Sequence, residues 1–379
     1  MKSILYTFIF MTNKKFELSL KGESPSLPIN KQVDKQIDID IDYLKLCNNH
    51  PRDAFILFDE PTHVYTITSD PGQKYTSVTT WNHGHFEAFD ADKIITNMMK
   101  SRRWPQNKYY GQTPEEIKAG WEVNRDAAAQ SGTAMHYMIE MFMNMNPNMN
   151  PNMNPNMNKT TEKKEHTMGE LYDAYMESAS TIYPSLMHPS QLRNTDNTNN
   201  TDTTNNTDNT NNTDTTNNTN TTNNPNQISI GCEWEYFLNF ANAESNRDLI
   251  PYRTEWTIYD EQLKLSGSID MVFKDKKGAY HIYDWKRSKE ITKSNNWNKF
   301  STNAIIDHIP DTNYWHYCLQ LNTYKALLER QYNITIETLY LVCLHPNNSN
   351  GNYQQIKVAN LSDEVASLFE NRLTALRKG

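Results

Sequence analysis

The chain has 379 residues, 37% of them hydrophobic, and a formal net charge of −8. That length holds one large or two small domains, and the acidic balance excludes a protein that coats nucleic acid through bulk positive charge. Cys47, Cys232, Cys318 and Cys343 form no Cys-x-x-Cys pair, which excludes a zinc ribbon, predicts no iron–sulfur cluster and suits a reducing compartment.

From the N-terminus, Met1 to Met11 is a short apolar stretch followed by Asn13-Lys14-Lys15, with no small-residue cleavage site. This supports neither secretion nor mitochondrial import, and no apolar run is long enough to span a membrane. The expectation is an intracellular protein of cytoplasm or nucleus. Residues 1–50 mix charge, proline and an Ile-Asp alternation (Ile37 to Asp42) and read as a poorly packed leader.

A single domain is expected over 51–379. Phe55 to Phe58 and His63 to Thr68 alternate as a hairpin, and Tyr75 to Thr80 reads as a further extended piece. Asp90 caps a predicted helix from Ala91, and Thr113-Pro114-Glu115-Glu116 is a strong helix start. Gly132 is expected to break or closely pack that helical region, which restarts at Thr133 and sets His136 and Glu140 on one face.

Asn144 to Asn158 repeats Asn-Pro-Asn-Met, and Asn194 to Asn224 is almost wholly Asn, Thr and Asp. Neither tract can bury enough apolar surface to offset the entropy of ordering. Residues 144–226 therefore read as a low-complexity insertion, its tracts flanking one helix (Met168 to Tyr183) on the domain surface. Helices follow at Glu233 to Ala243 and Asn313 to Tyr332, strands at Tyr252 to Tyr259 and Leu339 to Leu344, and a final helix is capped by Ser362-Asp363-Glu364. That order implies an α/β fold around a mixed central β-sheet flanked by helices.

The chemistry concentrates in Leu265 to Glu290, two strand-like runs about a polar turn at Lys274 to Gly278. Asp270 lies on the first run; Asp284 and Lys286, two apart on the second, project from one face. Pairing across the hairpin brings Asp270 beside them. Two carboxylates and a lysine suffice to hold a divalent metal and orient a water. In isolation an Asp-x-Lys on a strand is a surface ion pair.

Further pieces fall in order around that hairpin. They are Gly132-Thr133-Ala134-Met135-His136, Glu255 on the preceding strand, Gly267-Ser268-Ile269-Asp270, Asp284-Trp285-Lys286 and Gln320-Leu321-Asn322-Thr323-Tyr324. Together they resemble the PD-(D/E)xK nuclease superfamily in its RecB-type branch. Tyr75 to Thr79 is similar to a Ser-Val-Thr segment of the mitochondrial genome maintenance exonuclease and its phage and viral relatives. Ile269 stands where that family often has proline. The resemblance spans about 55–140 and 228–345.

The resemblance implies a restriction-endonuclease-like core and a metal-dependent nuclease. Asp270 and Asp284 would bind Mg²⁺ or Mn²⁺ with the Trp285 carbonyl, joined by His136 and Glu255, while Lys286 positions water or stabilises developing charge. Gln320 and Tyr324 would line the DNA path or brace Lys286, and Arg287 would contact DNA, with Lys289, Lys293, Lys299 and Trp297 nearby; Lys100, Arg102, Arg103 and Trp104 form another basic run. The implied partners are DNA, single-stranded or at ends, and a separate helicase or replication proteins. No phosphate-binding Gly-x-x-x-x-Gly-Lys-Ser/Thr loop occurs, which excludes an integral motor. The alternatives are a non-cutting nucleic-acid-binding module and an endonuclease of restriction or junction type.

Overall fold

The computed structural model describes residues 42–59, 61–146, 164–178, 230–295 and 298–378. Most of both Asn-rich tracts, the leader as far as residue 41, and Trp297 lie outside the described residues.

A small hairpin, β1 (Ile56–Asp59) and β2 (Val64–Ile67), precedes β3 (Thr76–Ser77). The extended piece expected through Thr80 stops there. Ser77 caps the next turn by accepting from the Thr80 amide at 3.1 Å, and α2 (Val78–His83) buries Val78 and Trp81. Next come α3 (Ala91–Lys100), capped by Asp90, and α4 (Pro114–Met143), opened by the reciprocal Thr113–Glu116 capping box.

α4 runs unbroken through Gly132, where sequence reading expects a break or close packing. No atom lies within 4 Å of where a Gly132 Cβ would stand, so close packing does not explain this glycine. A single helical glycine costs only about 1 kcal/mol, and the buried Met135, Met138, Ile139 and Phe142 offset that readily.

The helix inside the expected insertion, α5 (Met168–Ser178), also departs from expectation. Met168, Leu171 and Tyr175 are at most 1% exposed and pack with Phe142 of α4 and Trp234 and Phe237 of α6 (Gly231–Asn242). It is part of the core, not a surface appendage. Leu44 of α1 (Tyr43–Cys47) joins the same cluster, so the poorly packed leader expected over 1–50 does not hold for this helix.

The central sheet contains β4 (Ile250–Asp260), β5 (Leu265–Lys274), β6 (Tyr280–Lys286), β7 (Ile336–Cys343) and β8 (Gln354–Lys357), with β3 at one edge. β4, β5 and β6 are successively antiparallel, β6 and β7 are parallel, and β8 returns antiparallel. The crossover between β6 and β7 is α7 (Asn313–Gln331). With α2 and α8 (Ser362–Lys378) it covers one face through Leu319, Leu321, Leu327, Leu368 and Phe369; α4, α5 and α6 cover the other.

One detail of pairing shapes everything that follows. β4 occupies one edge of β5 along its whole length. On the other edge β3 pairs only with Leu265 and Ser266, and β6 only from Met271 onward. Gly267 to Asp270 therefore face a gap in the sheet. The alternation of β5 also changes phase there, since Ile269 packs with α7 and Met271 packs with α4 and α6.

Candidate metal and catalytic centre

The gap collects the polar residues. Across it the amide of Trp285, which no β5 backbone carbonyl reaches, donates to Asp270 Oδ2 at 2.9 Å. A carboxylate thus closes the sheet where a backbone ladder would otherwise continue. Asp284 and Lys286 flank Trp285 on β6, and the Lys286 Nζ lies 2.5 Å from Asp284 Oδ2. The indole between them points the opposite way, edge-on against Phe237 and Phe240, which fixes β6 by packing.

Glu255 sits on β4 opposite Asp270, between the registered pairs Thr254–Met271 and Trp256–Ile269. Its φ is +41°, a left-handed conformation that costs a non-glycine residue roughly 1–3 kcal/mol. That turn brings its carboxylate to His136 Nδ1 at 3.4 Å, and its other oxygen accepts from Ser268 Oγ at 3.2 Å. His136 reaches the same point from α4, with Nδ1 3.8 Å from Asp270 Oδ2 and Nε2 3.1 Å from the Trp285 carbonyl. The low-complexity tracts that separate His136 from the hairpin in sequence do not separate them in space.

One donor atom each of His136, Glu255 and Asp270 lies within 4.8 Å of the other two. With the Trp285 carbonyl this makes one imidazole nitrogen and three hard oxygens, a donor set suited to Mg²⁺ or Mn²⁺. Asp284 stands outside that trio. Its Oδ2 is buried and meets the Lys286 ammonium at 2.5 Å as an ion pair. A half-buried trio of donors beside a further, fully buried carboxylate fits a hard divalent cation.

The titration behaviour agrees. Burial and the neighbouring Asp270 push Asp284 up to about 7, against the pull of Lys286. Burial likewise raises Asp270. Burial works against a charged His136, but Asp270 and Glu255 outweigh it and lift its pKa to about 9. Burial also disfavours the Lys286 charge, yet Asp284 and Asp270 hold that ammonium well above the ordinary lysine value. Without metal, then, an imidazolium balances the Glu255–Asp270 pair, and Lys286 is a fixed cation rather than a base.

α7 supports this arrangement through Tyr317, Gln320 and Tyr324, which share a helical face. The Tyr317 ring lies 4.9 Å from Lys286 Nζ. Gln320 Nε2 donates to the Tyr324 hydroxyl at 3.4 Å. Tyr324 is 3% exposed, and its ring fills the space over Gly267, where an added Cβ would come within 2.7 Å of Cε1. Tyr324 is thus placed as a buried brace against β5, the second of the two roles expected of it, rather than as an exposed lining of a DNA path. Arg287 is also engaged, its Nε donating to the buried Glu233 at 2.6 Å. Sequence reading missed Tyr317 and Ser268; the seven-residue spacing of Tyr317 from Tyr324 is the signal that could have found the first.

A mixed sheet between helical layers, with carboxylates, a lysine and a histidine gathered at an interruption of its central strands, is a three-layer α/β core carrying a candidate metal site. The sequence signature of the PD-(D/E)XK nuclease superfamily matches residues 107–379, and the chain belongs to that superfamily. It is a nuclease by that membership, and its fold is the restriction-endonuclease-like one. No curated protein matches the chain significantly. No helix among the described residues is long and apolar enough to cross a membrane.

Proposed function

We propose that this nuclease is a divalent-metal-dependent deoxyribonuclease of RecB-like type. We further propose that it is an exonuclease acting on single-stranded DNA or DNA ends in replication, repair or recombination, working beside a separate helicase or replication proteins. The observation that carries the reading is the convergence of His136, Glu255, Asp270, Asp284 and Lys286 on one gap in the sheet.

In this reading His136, Glu255, Asp270 and the Trp285 carbonyl hold Mg²⁺ or Mn²⁺, with Asp284 turned toward the same charge. When bound, the cation supplies Lewis acidity at the scissile phosphate and lowers the pKa of water. Lys286, kept protonated by Asp284 and Asp270, orients the attacking water and stabilises the charge that accumulates on phosphorus oxygens. Tyr317 holds the lysine side chain against α7, and Ser268 fixes the Glu255 carboxylate.

End-labelled linear and circular single-stranded DNA, each with Mg²⁺ or Mn²⁺ and with EDTA, test the proposal. Loss of label from linear DNA alone, abolished by EDTA, by Asp284→Asn and by Lys286→Ala, is expected. Cleavage of circles would replace the exonuclease with an endonuclease. DNA binding without nucleotide release at any metal concentration would replace it with a non-cutting module. Full metal-dependent digestion by both variants would overturn the residue assignment.

A further inference from the structure

The approach to α4 carries chemistry that the catalytic centre does not use. Lys100 to Thr113 contains Lys100, Arg102, Arg103 and Lys108, the rings of Trp104, Tyr109 and Tyr110, and no acidic residue, in a chain whose net charge is −8. Among the described residues none of these four cations pairs with a carboxylate, and all four are exposed. Ordinary solvated charge on an acidic protein is interspersed with acids; this run is not.

The rings in the run are fixed rather than loose. Tyr109 accepts from Trp121 Nε1 of α4 at 2.8 Å, and Lys108 Nζ lies 4.8 Å from the centre of its ring. Trp104 meets Tyr110 edge to face at 6.0 Å, and Tyr110 remains 59% exposed. Beyond them α4 is exposed at almost every position from Glu122 to Gln130, so the segment stands clear of the core.

The patch also connects to the site. Lys289 leaves the catalytic strand three residues beyond Lys286 and is exposed; against the effect of burial, the Trp121 hydrogen bond and Lys108 lower the Tyr109 phenol's pKa, and the Lys289 charge adds to them. His136 lies fifteen residues after Trp121 on the same unbroken helix, about 22 Å along its axis. A polyanion held at Lys286 can therefore extend over Lys289 to reach the exposed Tyr110 and the half-buried Trp104 beside it.

We propose that Trp104 and Tyr110, with Arg102, Arg103, Lys108 and Lys289, form a second contact that takes single-stranded DNA, its bases stacking on the rings and its phosphates meeting the cations. This rests on the nuclease reading above and deepens it by assigning what recognises the strand away from the cut. Stacking needs unpaired base faces, so the contact selects single strands over duplex. It also reconciles an acidic protein with a polyanionic substrate, because the positive charge is local.

The test is binding of labelled long oligothymidylate by the full-length chain in EDTA, followed by anisotropy over a range of salt. Tyr110→Ala should weaken binding about tenfold, equivalent to about 1.4 kcal/mol for one lost stack, and Tyr110→Trp should restore it. Arg102→Gln with Lys108→Gln should lower the salt slope by about 0.7 for each phosphate contact removed. In cleavage assays the same variants should raise KM for long strands and leave the KM of strands too short to span the patch. Wild-type affinity, salt slope and KM in all of them, with thermal unfolding unchanged, would overturn the proposal. A wild-type chain that binds but never cleaves would overturn the nuclease reading and leave the binding assay to score the patch alone.

Discussion

Gly267→Ala tests whether the gap in the sheet is set by a tyrosine ring. An alanine Cβ at this position would stand 2.7 Å from Tyr324 Cε1, 3.2 Å from its hydroxyl and 3.4 Å from Cζ. The ring cannot swing away, because Tyr324 is 3% exposed and its hydroxyl is held by Gln320. Either β5 or α7 must therefore shift, and overpacking of this kind costs about 1–3 kcal/mol. At roughly 2–4 °C per kcal/mol for a chain of this size, Tm should fall by several degrees. Thermal unfolding in EDTA measures that loss, and activity should fall further than stability because Ser268 and Asp270 follow on the displaced strand. The discriminating measurement is the double-mutant cycle with Tyr324→Leu, a side chain with no atom at the Cε1 position. In that background Gly267→Ala should lose most of its effect, a coupling of about 1–2 kcal/mol. Strictly additive losses would mean that the ring does not set the spacing, and the account of the gap would fail.

Three further outcomes follow from the site and from α4. Asp284→Asn should raise the stability of metal-free protein more at pH 8 than at pH 5, where only part of the window has been crossed. The wild-type carboxyl titrates near 7 when folded, above its ordinary 3.8, so the folded state binds the extra proton and stability declines as pH rises through that window. The ceiling is about 4 kcal/mol; equal Tm differences at both pH values would refute it. His136→Ala should weaken Mn²⁺ binding at least about tenfold in titration calorimetry. It should also remove the proton released on binding at pH 8, since His136 titrates near 9 and must deprotonate to ligate. Thr113→Ala should cost about 1 kcal/mol by removing the α4 capping box, with faster hydrogen exchange confined to the first turns of α4.

The parts of this molecule that were legible in sequence are those governed by local periodicity and local chemistry. Leu265 to Glu290 reads as two extended runs around a turn whose Gly278 has φ +85°, and Met271 to Lys274 do pair with Tyr280 to Tyr283 as a hairpin. Thr113-Pro114-Glu115-Glu116 announces a helix with its own hydrogen bonds, and the structure makes both. What escaped depends on distant partners. Val78 to Thr80 look extended by composition, yet they open the helix that carries Trp81 into the core. β8 is short and polar, and pairs because Tyr340 to Cys343 present an open edge. α5 lies amid Asn-rich tracts that suggest no core contribution, although its own Met168, Leu171 and Tyr175 are core residues. The left-handed turn at Glu255 has no sequence signal, since glutamate is not a residue that favours positive φ.

That turn matters because it decides which carboxylates act together. Alternation alone groups Asp270 with Asp284 and Lys286, all on one face of a hairpin. The structure shifts the balance. The phase change in β5 and the turn at Glu255 bring Asp270 toward His136 and Glu255, and leave Asp284 with the lysine. Asp270 is the shared member: it touches the imidazole, accepts the Trp285 amide, and its charge raises Asp284. The site is thus two half-sites joined through one carboxylate, an acidic trio and an ion pair. In metal-free protein the His136 proton balances the trio, while Asp284 is held near its own titration point. A divalent cation taking the place of that proton would lower the energetic cost of both aspartates at once, so metal affinity should rise steeply with pH up to the His136 value. Cutting Asp270 out of the arrangement should uncouple the halves, whereas losing Asp284 should leave the trio, and its proton exchange, intact.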